Sequence, residues 1–148
     1  MKANFADRNA AFVRRCCEIM KNTRQYQDTP RCLDDVVAEA LESAPPCHFV
    51  SYGRAYTVMM RMRRGQSPGC MTRLRRKMWD EFRQQVESDL MSHPRHRLTD
   101  AVGEVLNFSR PSRYFISHLE GRRILKAYLE KKQGRTVPGR IYSWRAKV

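Results

Sequence analysis

Residues 30–64 read PRCLDDVVAEALESAPPCHFVSYGRAYTVMMRMRR, and residues 94–130 read PRHRLTDAVGEVLNFSRPSRYFISHLEGRRILKAYLE. The second stretch repeats the first. At a shift of 65, Leu33 meets Leu98, Asp35 meets Asp100, Val37 meets Val102, Glu39 meets Glu104, Leu41 meets Leu106 and Pro46 meets Pro111. After one inserted residue, Phe49 meets Phe115 and Ser51 meets Ser117; Val50, Val58 and Met59 then meet Ile116, Ile124 and Leu125. Self-similarity at a fixed period governs how the rest of a chain is read. Here it predicts an all-α protein of two tandem three-helix copies, residues 1–66 and 67–132, followed by an extended basic tail, 133–148.

The apolar spacing supports this copy by copy. In the first, a helix over about 6–21 places Phe12, Cys16, Ile19 and Met20 on one face, and a polar loop follows. The second helix carries Leu33, Val36, Val37, Ala40 and Leu41, with Asp34 and Asp35 in its first turn, where negative charge suits the helix dipole. Pro45 and Pro46 stop it, because proline lacks the amide and disfavours helix in the residue before it. Ser51 is the expected N-cap of the third helix. That helix presents Ala55, Val58, Met59 and Met62 and ends near Gly65. The segment Gly65–Gly69 links the copies.

In the second copy, a helix over about 72–91 carries Leu74, Met78, Phe82, Val86 and Leu90. The next repeats the five-position stripe as Leu98, Ala101, Val102, Val105 and Leu106. Pro111 lies in the break. Ser117 and Glu120 have capping-box spacing, and Gly121, Ile124, Leu125 and Tyr128 form the last apolar face. In each break, Phe49 or Phe115 is read as a core plug.

Among the 148 residues, 29 Lys and Arg face 15 Asp and Glu, a net charge of +14. Residues 1–66 hold 11 basic and 7 acidic side chains, and residues 67–148 hold 18 and 8. Such an imbalance bears on partners rather than fold; nucleic acid is the first expectation, an anionic membrane second and an acidic protein third. No apolar run approaches the ~18 residues of a membrane span, and the N-terminal stretch lacks a secretory pattern, so a cytoplasmic protein without membrane association is expected. The five cysteines, Cys16, Cys17, Cys32, Cys47 and Cys70, are odd in number and contain no Cys-x-x-Cys pair. They read as reduced, free thiols rather than a disulfide framework or zinc ribbon. His93 and His96 flank Pro94 and, with no acidic neighbour close in sequence, are read as solvent-exposed.

A three-helix copy with a short, Ser-capped, Arg-rich last helix resembles the trihelical helix-turn-helix modules. The resemblance covers residues 6–64 and 72–132. It implies that the last helix of each copy, 51–64 and 117–132, lies in the major groove of double-stranded DNA. The joint is longer than the usual three or four residues, at about nine or ten (42–50 and 107–116), which points to a looser trihelical relative. The candidate nucleic-acid contacts are Arg54, Arg61, Arg63 and Arg64 of the third helix, Arg73, Arg75 and Arg76 opening the fourth, and Arg122, Arg123 and Lys126 of the sixth. Phosphate contacts need charge without fine geometry. Positive charge at the start of the fourth helix opposes its dipole, which suits an anionic partner there. In the tail, Tyr142 and Trp144 stand among Arg135, Arg140, Arg145 and Lys147; such an arm either follows a groove or stacks on bases, or docks on the protein.

Phosphate loops, nucleophile elbows, zinc-protease motifs and dinucleotide fingerprints are all lacking in the sequence. Asp35 with Glu39, and Asp100 with Glu104, are carboxylate pairs at helical spacing, but each pair starts a helix, where capping accounts for it. The expectation is therefore a non-enzymatic protein without cofactor or metal. It would bind DNA in preference to RNA and serve transcriptional control or a mobile element as an accessory factor. The alternatives are an all-helical adaptor for an acidic partner, with Val58, Met59, Met60 and Met62 as a flexible contact surface, or an RNA binder.

Overall fold

The computed structural model describes residues 5–26, 32–67, 69 and 71–133. The expected extended tail, from residue 134 onward, lies outside them. The described residues form six helices and no strand: α1 (Phe5–Tyr26), α2 (Leu33–Leu41), α3 (Tyr52–Arg63), α4 (Arg73–Ser92), α5 (Leu98–Phe108) and α6 (His118–Gln133). The protein is all-α. Residues 22–26 continue α1 beyond the expected end at 21, because they contain no Gly or Pro; the first Pro in that stretch of sequence is Pro30.

The helices fall into two compact units, and the expected boundary at 66/67 lies inside one of them. The first unit is Ala44–Phe115 together with the start of the chain up to Arg8; the second is Asn9–Ser43 together with the chain from Ile116 onward. The first thus joins α3 to α4 and α5, and the second joins α6 to α1 and α2. Each unit takes two consecutive helices from one half of the chain and its third from the other half. The helices on either side of each long joint, α2 and α3 or α5 and α6, therefore belong to different units.

The first unit's core is Ala55, Val58, Met59 and Met62 of α3, Trp79, Phe82 and Val86 of α4, and Ala101, Val102 and Val105 of α5. The methionine run is core here, with Met59 and Met62 buried and Met60 half-buried. Trp79, fully buried, is absent from the expected α4 stripe. It lies one residue past Met78 and widens that stripe towards the loops at residues 44–50 and 109–115.

In the second unit α1 buries Phe12, Cys16, Ile19 and Met20, and α2 buries all five residues of its stripe. The buried face of α6 is Gly121, Leu125 and Leu129; Ile124 and Tyr128 are half-buried at its margin. Gly121 is a point of close approach: a Cβ there would lie 3.1 Å from both Phe12 Cζ and Val37 Cγ1.

Polar capping fixes the helix ends. Ser51, Thr72 and Ser117 accept from the backbone N–H of Arg54, Arg75 and Glu120 at 3.2, 3.2 and 3.1 Å. Asp100 accepts from the N–H of Arg97 at 2.9 Å. The end of α3 is a Schellman motif: Gly65 adopts φ +74°, its N–H donates to Met62 O at 3.1 Å, and Gln66 N–H donates to Arg61 O at 2.9 Å.

Candidate nucleic-acid interface

Between Glu42 and Asp80 the sequence contains no acidic residue and eight cations: Arg54, Arg61, Arg63, Arg64, Arg73, Arg75, Arg76 and Lys77. All eight belong to the first unit. Arg54 sits in the first turn of α3; Arg61 and Arg63 occupy its last turn, with Arg64 as C-cap, where cations suit the helix dipole. Arg73, Arg75, Arg76 and Lys77 open α4, whose first turn holds no acid. Among the described residues none of the eight has an ion-pair partner. All are exposed except Arg75, which is half-buried. Its guanidinium stands 5.3 Å from the centroid of the Phe5 ring, and that of Arg8 stands 4.5 Å from the same ring. Arg75 thus already has a cation–π partner within the protein.

The three candidates on α6 lie in the second unit and are placed differently. Arg122 is half-buried, with Nε 3.4 Å from Asp34 Oδ1 on α2, and His118 Nε2 lies 3.5 Å from the same oxygen. These are charge contacts rather than hydrogen bonds, since Asp34 Oδ1 accepts none. They set Arg122 beside Asp34, between α2 and α6. Arg123 is exposed and lies 3.4 Å from Glu120 one turn away, and Lys126 is half-buried. The charge follows the same division. Residues 44–115 carry 13 basic and 6 acidic side chains, whereas 9–43 and 116–133 together carry 10 and 8.

The two copies of the Pro-to-Phe element meet in the first unit, and Gln85 of α4 joins them. Its Oε1 is 2.6 Å from His48 Nε2, and its Nε2 donates to Arg110 O at 2.9 Å. Arg110 donates in turn to Pro45 O (2.8 Å) and Ala44 O (3.0 Å). Glu81, one turn earlier, accepts from Ser112 N–H and Oγ–H at 2.6 and 2.5 Å. The deep aromatic of each element is the residue before the expected plug: His48 and Tyr114 are buried, whereas Phe49 and Phe115 are half-buried and line a cleft with Trp79 and Phe5. The His48 ring meets Phe82 edge-on at 4.9 Å. Burial holds its imidazole below the ordinary 6.5, against the opposing pull of Gln85 and Glu81.

His93 and His96 do have an acidic partner. Asp89, one turn back on α4, places Oδ1 3.2 Å from His93 Nδ1 and Oδ2 2.8 Å from His96 Nδ1. Asp89 is only four residues before His93, and the pairing is seen once α4 is carried to Ser92, which sets the two at i,i+4 spacing. The hydrogen bond that His96 makes to the Asp89 carboxylate raises its pKa. The Cys16 thiol is pushed up to about 12, first by burial and then by Cys17, so it is an inert core group.

No family model, no curated protein and no solved structure matches this chain.

Proposed function

We propose that this is a non-enzymatic nucleic-acid-binding protein that holds double-stranded DNA mainly through its phosphates, with α3 and the start of α4 as the contact surface. The carrying observation is the acid-free run between Glu42 and Asp80, with its eight cations on one compact unit and seven of them exposed without a partner among the described residues. A solvated basic face ordinarily interleaves its charges with acids and sets cations at helix C-termini. Here four stand at the N-terminus of α4, against the dipole, where a bound phosphate would reverse the penalty. Gly53 adds support. It lies in the first turn of α3 with nothing within 4 Å of a Cβ built on it, so internal packing does not require a glycine. Glycine costs a helix roughly 0.5–1 kcal/mol against alanine, and it suits a surface that a backbone approaches closely.

The adaptor reading loses its methionine surface, since Met59 and Met62 are core. On the DNA reading, α3 supplies what base preference there is, and Arg123 and Lys126 of α6 are auxiliary phosphate contacts. Transcriptional control, or an accessory role in a mobile element, is the use that fits such a binder.

The test is fluorescence anisotropy with a random duplex of roughly 25 base pairs, enough for two half-sites one helical turn apart. Single-stranded DNA and duplex RNA run beside it through a salt series. Duplex-DNA binding that weakens steeply with salt is expected. Absence of binding to all three at low salt refutes the proposal, and tighter binding to RNA reassigns the substrate.

A further inference from the structure

The end of α4 gathers an unusual donor set for this chain. Asp89 lies in its last turn, His93 follows the helix as C-cap, and His96 stands three residues further on. Their donor atoms lie within 4.8 Å of one another. The two imidazoles are stacked, with centroids 4.5 Å apart and planes 18° from parallel, and each Nδ1 faces a different oxygen of the same carboxylate. The backbone fixes the three relative to one another: His93 N–H donates to Asp89 O and His96 N–H to His93 O, both at 2.9 Å. Pro94 stiffens the intervening turn by fixing φ. The Asp89 side chain is only 9% exposed, and that of His93 is 53% exposed, so the cluster has a rigid floor and an open mouth.

We propose that Asp89, His93 and His96 form a zinc site with three protein ligands and a fourth position open to solvent. A tetrahedral zinc with ligands at about 2.0–2.2 Å separates its donors by roughly 3.3 Å. The Nδ1-to-carboxylate distances, 3.2 and 2.8 Å, need widen by only a few tenths of an ångström. A divalent cation takes the lone pair of each neutral ring and the charge of Asp89. Two imidazoles and one carboxylate are a donor set that suits zinc over magnesium or calcium. With the fourth position free, water completes the coordination until another donor displaces it.

The experiment titrates the full-length chain with zinc alone by calorimetry, and with cobalt(II) alone by visible absorption. One metal ion per chain is expected, with the intense visible bands of tetrahedral cobalt and without the near-ultraviolet charge-transfer band of a thiolate ligand. His93→Ala and His96→Ala should each weaken zinc at least tenfold while the far-ultraviolet circular dichroism stays unchanged; exposed His93 makes the first variant safe for folding. Absence of zinc binding overturns the proposal. So does affinity unaltered in both variants, or a sulfur band showing that the cysteines hold the metal.

Discussion

Cutting the chain after Gln66 separates every helix of the first half from the half that completes its unit. On a fragment of residues 1–66, α3 keeps Val58, Met59 and Met62 but loses their core neighbours Trp79, Phe82, Val86, Val102 and Val105. Each such side chain contributes about 1.5–3 kcal/mol when fully buried, so exposing these three costs about 5–9 kcal/mol. In the other unit α2 loses Leu125 and Leu129 of α6, both fully buried, and the face over Phe12 and Val37 opens. That removes several kcal/mol more, against a whole-domain stability of about 5–15 kcal/mol. Neither 1–66 nor 67–148 should therefore fold alone. Mixed at equal concentration, the two should recover cooperative unfolding, because together they supply all members of both units. The assay is far-ultraviolet circular dichroism with thermal melts on each fragment and on the mixture. A cooperative melt of 1–66 by itself refutes the reasoning, and would mean that α1, α2 and α3 form a module in chain order.

The triple substitution Arg61→Ala, Arg63→Ala and Arg64→Ala should lower the slope of log affinity for duplex DNA against log salt by up to about 2.7, at roughly 0.9 per phosphate contact. At 0.15 M salt that is on the order of a hundredfold in Kd, with the melting temperature little changed because these side chains lack partners among the described residues. Arg122→Ala should do the reverse, costing under about 1 kcal/mol of stability by loss of a solvent-screened pair with Asp34 and leaving DNA affinity nearly intact; a large loss of affinity would favour α6 as the reader. Gly121→Val should destabilise the protein by about 1–3 kcal/mol through overpacking against Phe12 and Val37, read as a lower midpoint in urea. For His48, the folded state resists a proton that the unfolded chain accepts at pH 6.5 and below. Stability is therefore complete above that pH and falls as the pH drops below it. The decline of melting temperature from pH 7 to 5 should flatten in His48→Gln, and an unchanged decline would exclude His48 as its source.

Helix positions were legible in the sequence because they are local. The α2 and α5 stripes, the caps at Ser51 and Ser117, and the stop at Gly65 are each written within about a dozen residues. Trp79 and Leu129 escaped because a stripe read at strict helical spacing has one width, while the real face widens wherever more than one element covers it. The burial of His48 and Tyr114 in place of Phe49 and Phe115 was hidden for a related reason: the loop's direction is set by Gln85 and Glu81 on α4, more than 25 residues away from the contacts they make with His48 and Ser112. The least legible feature was which third helix belongs to which pair. A repeat states that two segments are alike, and two like segments can satisfy the same core. Ala55, Val58 and Met59 offer much the same apolar face as Gly121, Ile124 and Leu125, so periodicity cannot distinguish a helix covering its own copy from one covering the other. Connection length then decides. The joints between α2 and α3 and between α5 and α6 are long enough to release the third helix from its neighbour, and a joint of three or four residues would hold it there. The extra residues of the joint are also what permit each half of the chain to complete the other's core. The site inherits that exchange: α3 packs on α5, which itself packs on α4, so that the cations ending α3 and opening α4 belong to a single unit.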